Sequence, residues 1–300
     1  MTNADYAPLV REQLPDISEE QLLLEPARRN TAPCIAWAAR HIAAIDPEAS
    51  MIVAASDHLI LGEKKFEEQV TRGFEFVESH DALLTLGINP TRPETGYGYI
   101  QVGQEAAPCI NRVKTFTEKP DLDLAKVFLQ TGEFVWNSGI FLWKVHAILK
   151  ALAECAPDLS GVFEAGADTF GTPREREFIN NHFAGCQSIS IDYAVMESAK
   201  NVYVERVDFT WNDLGNWSAL YDNSPKNSDG NVAHNCNLRA YDSTGNIVAV
   251  KGEKLIVMEG IKDYIIADTG DVLLLCPKAQ EQRIKQMVND IKQLFDGRYL

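Results

Sequence analysis

The sequence lacks the marks of several protein classes. No apolar run reaches the about 18–20 residues that a membrane-spanning helix needs. The opening residues, MTNADYAPLVREQLPDISEE, have no basic stretch followed by an apolar one, so they do not read as a secretory signal. The six cysteines, at 34, 109, 155, 186, 236 and 276, form no Cys-x-x-Cys pair, which excludes the usual zinc and iron–sulfur spacings. Without a signal they are expected to be reduced thiols in a cytoplasmic chain. Internal repeats, low-complexity stretches and coiled-coil heptads are also absent. Basic residues are few: 28 Lys+Arg stand against 43 Asp+Glu, a formal charge of −15. Such a chain repels the phosphate backbone of nucleic acids and an anionic membrane surface, so neither is an expected partner.

The composition that is present, 45% hydrophobic and 24% charged, suits a soluble globular protein. A length of 300 residues predicts one large or two modest domains. From about residue 20 to 210, strand-like apolar runs alternate with amphipathic helical ones, which predicts an α/β layer architecture. IVAA (52–55) and LLTL (83–86) have the look of strands buried on both faces of a mainly parallel sheet. Between them, residues 63–80 carry Phe66, Val70, Phe74 and Val77 at helical spacing. Thr31-Ala32-Pro33 opens another helix, with a hydroxyl near the cap and proline in the first turn. The polar, turn-rich segment 221–231 marks a boundary, dividing the chain into a first domain over 1–224 and a β-rich segment over 225–300. A helix over 279–295, with Ile284, Met287, Val288, Ile291, Leu294 and Phe295 on one face, closes the chain.

Chemistry-bearing residues stand at strand-to-loop transitions. Asp57 follows an apolar strand, where open α/β sheets bind ligands; one carboxylate there can hold Mg²⁺ or simply cap a helix. Asp213 lies between Trp211 and Trp217, either in a shielded site or in a tryptophan-anchored turn. Glu94-Thr-Gly-Tyr97-Gly98-Tyr99 permits close backbone approach and offers phenols, as a sugar site or a hairpin would. Glu118-Lys119 precedes Pro120: the carboxylate can take sugar hydroxyls and the ammonium a phosphate, or the two form a surface ion pair. Asn137, Ser138 and Gly139 supply amide, hydroxyl and close approach before the apolar run IFLW. Glu25, Asn30 and Thr31 lead into a helix N-terminus, which favours anions.

Taken together, EPARRNTAPCIAWAA, SDHLI, TLGINPTRPETGYGYI, FTEKPDLDLAKVFLQTGEFVWNSGIFLW, SIDYAVME and WNDLGNWSALYD resemble the mannose-1-phosphate guanylyltransferases of the sugar nucleotidyltransferase superfamily. The resemblance implies a Rossmann-like nucleotidyltransferase domain and the synthesis of GDP-mannose and diphosphate from GTP and mannose 1-phosphate. It implies that Asp57 and Asp213 hold Mg²⁺, that Lys119 meets the sugar phosphate and that Glu118 meets sugar hydroxyls. By the same resemblance, Tyr97, Gly98, Asn137, Ser138 and Gly139 line the mannose pocket, and Glu25, Asn30 and Thr31 lie near the nucleotide. A homodimer is admitted, with no residue assigned to it. The sequence departs from the pattern in two places. The Leu-Ala-Gly-Gly-x-Gly-Thr-Arg type of loop that cradles a triphosphate does not occur, and residues 1–20 resemble a segment further into the family pattern. The chain is therefore expected to be N-terminally incomplete and weak or inactive in turnover. Arg28 stands where the family usually has glycine, and only the transferase half of the bifunctional members, without their cupin-like isomerase domain, is expected in these 300 residues. A non-catalytic sugar-nucleotide-binding homologue and another hexose-1-phosphate nucleotidyltransferase are the alternatives.

Overall fold

Strands that alternate their side chains between two apolar layers organise the first of two units, Met1–Ser56 with Ile60–Trp211. The computed structural model describes residues 1–299; Leu300, the end of the second predicted domain, lies outside the described residues. Six strands, β1 (Ser50–Val53), β2 (Leu83–Ile88), β3 (Tyr99–Ala107), β4 (Ile110–Thr117), β5 (Phe134–Lys144) and β6 (Val202–Val207), form a sheet in the order β1-β5-β2-β6-β4-β3. Leu83, Val135, Phe141 and Val202 enter one buried cluster, and their chain neighbours Leu84, Trp136, Leu142 and Tyr203 enter the other. This is the period of two that a strand imposes.

The helices that cover this sheet include α1 (Thr31–Ile45), α2 (Glu63–Ser79), α3 (Leu122–Thr131), α4 (Val145–Cys155) and α5 (Pro157–Glu164). α1, α4 and α5 cover one face through Ile35, Trp37, Ile148, Leu152 and Phe163, while α2 and α3 cover the other through Phe76, Val77 and Phe128. Each large side chain buried in this way contributes roughly 1.5–3 kcal/mol relative to exposure.

The α/β layering matches the sequence reading, but the direction of the strands does not. Among the described pairs of this sheet only β2–β6 is parallel; β1–β5, β2–β5, β3–β4, β3–β5 and β4–β6 are antiparallel. Ala107 pairs with Ile110 across the two-residue turn Pro108-Cys109, with Cys109 at φ +68. So short a link permits only a hairpin. Runs buried on both faces carry the same apolar signature in either direction, so periodicity alone does not reveal it. β5 meets β3 over 134–136 and β1 over 141–144, and its register with β2 breaks between Thr85 and Gly87. Asn137-Ser138-Gly139, with Gly139 at φ +70, lies in that irregular stretch.

The second unit comprises Asp57–Leu59 and Asn212–Leu300. Its strands β7 (Val232–Tyr241), β8 (Ile247–Glu259), β9 (Tyr264–Asp268) and β10 (Leu273–Pro277) pair in sequence order. β7–β8 and β8–β9 are parallel, so successive coils stack Val232, Ile247 and Ile265 in register. α6 (Trp217–Asn223) packs Trp217 and Leu220 on this core. Asn246 holds the corners: its Nδ2 donates to Asn231 Oδ1 at 2.9 Å and to the Ile261 carbonyl at 2.8 Å, and its Oδ1 accepts from Tyr264 N–H at 2.9 Å. The closing helix is a short 3₁₀ turn (Lys278–Arg283) followed by α7 (Ile284–Leu294). Ile284 and Met287 pack on the core, but Val288, Leu294 and Phe295 are exposed because only the first turn of α7 lies over it. Among the described residues no helix is long and apolar enough to cross a membrane.

Candidate active site

Asn137 is the hub of the first cluster. Its Oδ1 accepts from Thr85 Oγ1 at 3.0 Å and from Gly139 N–H at 3.3 Å, and its Nδ2 donates to Asp192 Oδ1 at 2.9 Å. Its backbone N–H donates to the Gly98 carbonyl at 2.8 Å. With both ends of the amide committed, a flip would set donors against donors. The register break beside it is a device that re-aims side chains near functional sites.

Gly98 stands at the entry to β3. A methyl group there would lie 2.5 Å from Glu118 Oε2, so only a hydrogen leaves room for that carboxylate. Glu118 follows β4, its side chain 10% exposed, with Lys119 Nζ 2.7 Å from Oε1. Lys119 is open to solvent and has φ +46 although it precedes proline, where extended backbone is preferred. Left-handed backbone at a non-glycine residue costs roughly 1–2 kcal/mol, a strain that collects at functional sites.

Asp192 begins a single π-helical turn (Asp192–Met196). Burial, and then the neighbouring Glu118 carboxylate, push Asp192 up to about 6. Glu197 is also pushed up, by burial first and Glu118 second. The hydrogen bond to Glu118 is the chief cause that raises Lys119. Two carboxylates, Glu118 and Asp192, and one ammonium thus gather beside a fixed amide, with Glu197 next to Glu118. Such a set can take the hydroxyls of a polyol and one anionic group.

Tyr97 walls this region, its ring edge-on to Trp136 and to Trp211 at 5.2 Å each. Ser138 lies inside the sheet, donating to the Leu86 carbonyl at 2.7 Å and accepting from Ile140 N–H at 3.1 Å. The contacts therefore link Tyr97, Gly98, Glu118, Lys119, Asn137 and Gly139, while Ser138 braces the strand beneath.

The start of α1 is built separately. Asn30, at φ +66, caps the helix by accepting from Thr31 N–H at 2.9 Å. Thr31 Oγ1 accepts from Ile191 N–H at 2.8 Å, and Ala32 N–H donates to the Ile189 carbonyl at 3.1 Å. This stitches α1 to the segment that ends in Asp192. Glu25 Oε2 accepts from the Cys34 thiol at 3.1 Å, and burial pushes that thiol well above its ordinary value.

Asp57 and Asp213 both belong to the second unit. Burial pushes the His58 imidazole below its ordinary value, and the fields of Asp57 and Asp213 oppose that shift, so both carboxylates lie within electrostatic reach of one ring. Asp213 Oδ1 accepts from Gly215 N–H at 3.0 Å, and a methyl group at Gly215 would stand 2.8 Å from Oδ2. Leu214 between them has φ +49. Two hard oxygen donors with coordination positions left over fit Mg²⁺, which keeps several waters and is completed by substrate phosphates. Among the described residues no group of three or more His, Cys, Asp or Glu forms a closed cage. A cavity of about 480 Å³ over Ile60–Lys65 contains none of these residues.

Two contributors went without a role in the sequence reading. Asp192 sits in SIDYAVME, a segment that carried the resemblance without marking its carboxylate. Thr85 is a lone polar residue in an apolar strand run, the one signal that could have found it.

Comparison with known proteins extends these findings. A profile of the family described as nucleotidyl transferase matches residues 1–230, and one described as MannoseP isomerase/GMP-like beta-helix domain matches residues 239–291. The chain is 35% identical over 310 aligned positions to the mannose-1-phosphate guanylyltransferase of Escherichia coli (strain K12), covering 99% of this chain and 63% of that protein. It is 36% identical over 297 positions to the xanthan biosynthesis protein XanB of Xanthomonas campestris pv. campestris (strain B100), covering 97% and 62%. The chain thus spans less than two thirds of the length of these curated relatives. A crystal structure from Thermus thermophilus, described as mannose-1-phosphate geranyltransferase, matches with a TM-score of 0.83 and 28% identity over 97% of this chain and 82% of that one.

Proposed function

The chain belongs to the nucleotidyl transferase family, and from that premise we propose that it is a mannose-1-phosphate guanylyltransferase, making GDP-mannose and diphosphate from GTP and α-D-mannose 1-phosphate. The observation that carries the reading is the Gly98–Glu118–Lys119–Asn137 cluster. It joins an acceptor for ring hydroxyls to an ammonium for a phosphate, on a backbone that leaves no room for a larger residue at 98. The names of the relatives support the choice of mannose and guanine.

In the proposed reaction a phosphate oxygen of mannose 1-phosphate forms a bond to the α-phosphorus of GTP. The bond from that phosphorus to the bridging oxygen breaks, and diphosphate leaves with the electron pair. No protein nucleophile is needed, so positioning and charge neutralisation carry the step. Glu118 and Asn137 orient the sugar ring, and Lys119 Nζ neutralises its phosphate. Glu25, Asn30 and Thr31 serve the nucleotide from the start of α1. Asp57 and Asp213 would hold Mg²⁺, which when bound neutralises charge on the phosphates. Six free thiols fit a reducing cytoplasm.

Calorimetric binding of GDP-mannose, competed by mannose 1-phosphate against glucose 1-phosphate and by GTP against ATP and dTTP, tests the reading. Preference for the mannose and guanine compounds is expected. Equal competition by glucose 1-phosphate or dTTP would overturn it.

A further inference from the structure

The geometry points to Asp192 as a further binding residue: we propose that its carboxylate, together with that of Glu118, accepts ring hydroxyls of the hexose, and that Asn137 holds it in position to do so. The inference rests on the functional reading above and deepens it.

Asn137 ties the participants to one place. Its side chain donates to Asp192 Oδ1 at 2.9 Å, its backbone N–H donates to Gly98, and the Gly98 Cα faces Glu118 Oε2 closely enough that a Cβ would lie 2.5 Å away. The Asn137 bond uses one acceptor position of Asp192. An ionised carboxylate has about four, so Asp192 keeps capacity for a ligand donor. The segment that carries it is fixed from behind as well, since Ile191 N–H donates to Thr31 Oγ1 at 2.8 Å.

Charge balance gives the reason for a hydroxyl-bearing ligand. Glu118 and Asp192 share one ammonium, with Glu197 beside Glu118, and Lys119 is already paired with Glu118 at 2.7 Å. When Lys119 turns to a substrate phosphate, Glu118 loses that partner and two neighbouring carboxylates need donors. A second ammonium would do, and so would the hydroxyls of a sugar ring; only the hydroxyls arrive on the same molecule as the phosphate. A site built to bond a hydroxyl also rejects analogues that lack it, because its own polar groups are then left unpaired.

The same arrangement makes binding depend on pH. Asp192 accepts a ring hydroxyl best when ionised, and burial followed by Glu118 lifts it to about 6. Affinity is therefore full above that value and falls below it. The other ionisable groups facing this place are Glu118, Lys119, Tyr193 and Glu197. Ammonium and phenol groups ordinarily titrate far above this window, and comparison with Asp192→Asn separates Asp192 from Glu197.

The test is calorimetric binding of GDP-mannose to the 300-residue chain between pH 5 and pH 7.5. Its diphosphate bridge has no ionisation near 6, unlike a phosphate monoester, so the ligand does not contribute to the profile. Wild-type affinity is expected to fall about tenfold from pH 7.5 to pH 5, one proton being taken up. Asp192→Asn is expected to bind at least about tenfold more weakly at pH 7.5, the loss of one charge-assisted hydrogen bond, with a flat profile. A wild-type profile that is flat across this range overturns the inference, as does an Asp192→Asn chain that keeps the wild-type affinity or profile. A wild-type chain that binds no GDP-mannose at pH 7.5 overturns the functional reading itself.

Discussion

Replacing Gly98 with alanine tests the geometry of the sugar cluster most directly. The added methyl carbon would sit 2.5 Å from Glu118 Oε2 and 3.4 Å from Asn137 Cβ. Carbon and oxygen in ordinary contact stand about 3.4 Å or more apart, so the carboxylate must withdraw by roughly 1 Å. A hydrogen bond to a charged group contributes about 1.5–3 kcal/mol. Losing the one between Glu118 and the sugar lowers affinity for GDP-mannose roughly 10- to 150-fold. The backbone at 98 is not left-handed, so alanine brings no backbone strain there, and its effect on the unfolded chain is a stabilisation of about 0.4–1 kcal/mol. The melting temperature is therefore expected to stay within about 4 °C of wild type. Calorimetry with GDP-mannose and a thermal melt read the two effects separately. Unchanged affinity in a folded Gly98→Ala protein would refute the assignment of Glu118 to the sugar.

Other expectations follow from the same contacts. Asp57→Asn and Asp213→Asn are each expected to remove the gain in GTP affinity that Mg²⁺ confers, with little change in stability; a magnesium titration that still strengthens GTP binding in either variant clears that carboxylate of a metal role. Asn246→Ala leaves the Tyr264 N–H unpaired, while Asn231 Oδ1 keeps the Asn246 backbone N–H and the Ile261 carbonyl keeps the Thr244 N–H, so urea denaturation should show the second unit losing about 1–3 kcal/mol. Glu205, fully buried, accepts from Arg72 Nε at 2.8 Å and is raised to about 7 by burial against the pull of Arg72. A carboxylate raised in the folded state stabilises below its unfolded value, and that contribution is lost as pH rises through about 7. Arg72→Met should therefore destabilise by about 3–5 kcal/mol at pH 8, where it strands a buried charge, and by less at pH 5, where Glu205 takes up a proton. Urea melts at the two pH values that give equal losses would refute that account.

Much of this was legible in local pattern. Thr31-Ala32-Pro33 announced a helix that begins at Thr31, and the spacing of Phe66, Val70 and Phe74 announced the one that begins at Glu63. The glycine at 98 and the Glu118-Lys119-Pro120 tip were visible as motifs because each is a local choice of residue type. The direction of the strands was not visible. A buried run reads the same either way, and only the two-residue Pro108-Cys109 link betrays the hairpin. Nor did the exposure of Leu294 and Phe295 follow from the helical period, because periodicity names a face without naming what covers it.

Residue types at short range, then, were enough to determine the α/β class, the family resemblance and most candidate side chains, since caps, turns and alternation act over a few residues. Tertiary structure decided which of those side chains share a place. Asn137 and Asp192 are 55 residues apart and Thr85 and Asn137 are 52 apart, and nothing in chain order predicts that one amide bonds both. The proximity of Glu118 to Asp192, and with it the raised proton affinity of that carboxylate, exists only once folding sets the end of β4 beside the π-helical turn and buries Asp192 there.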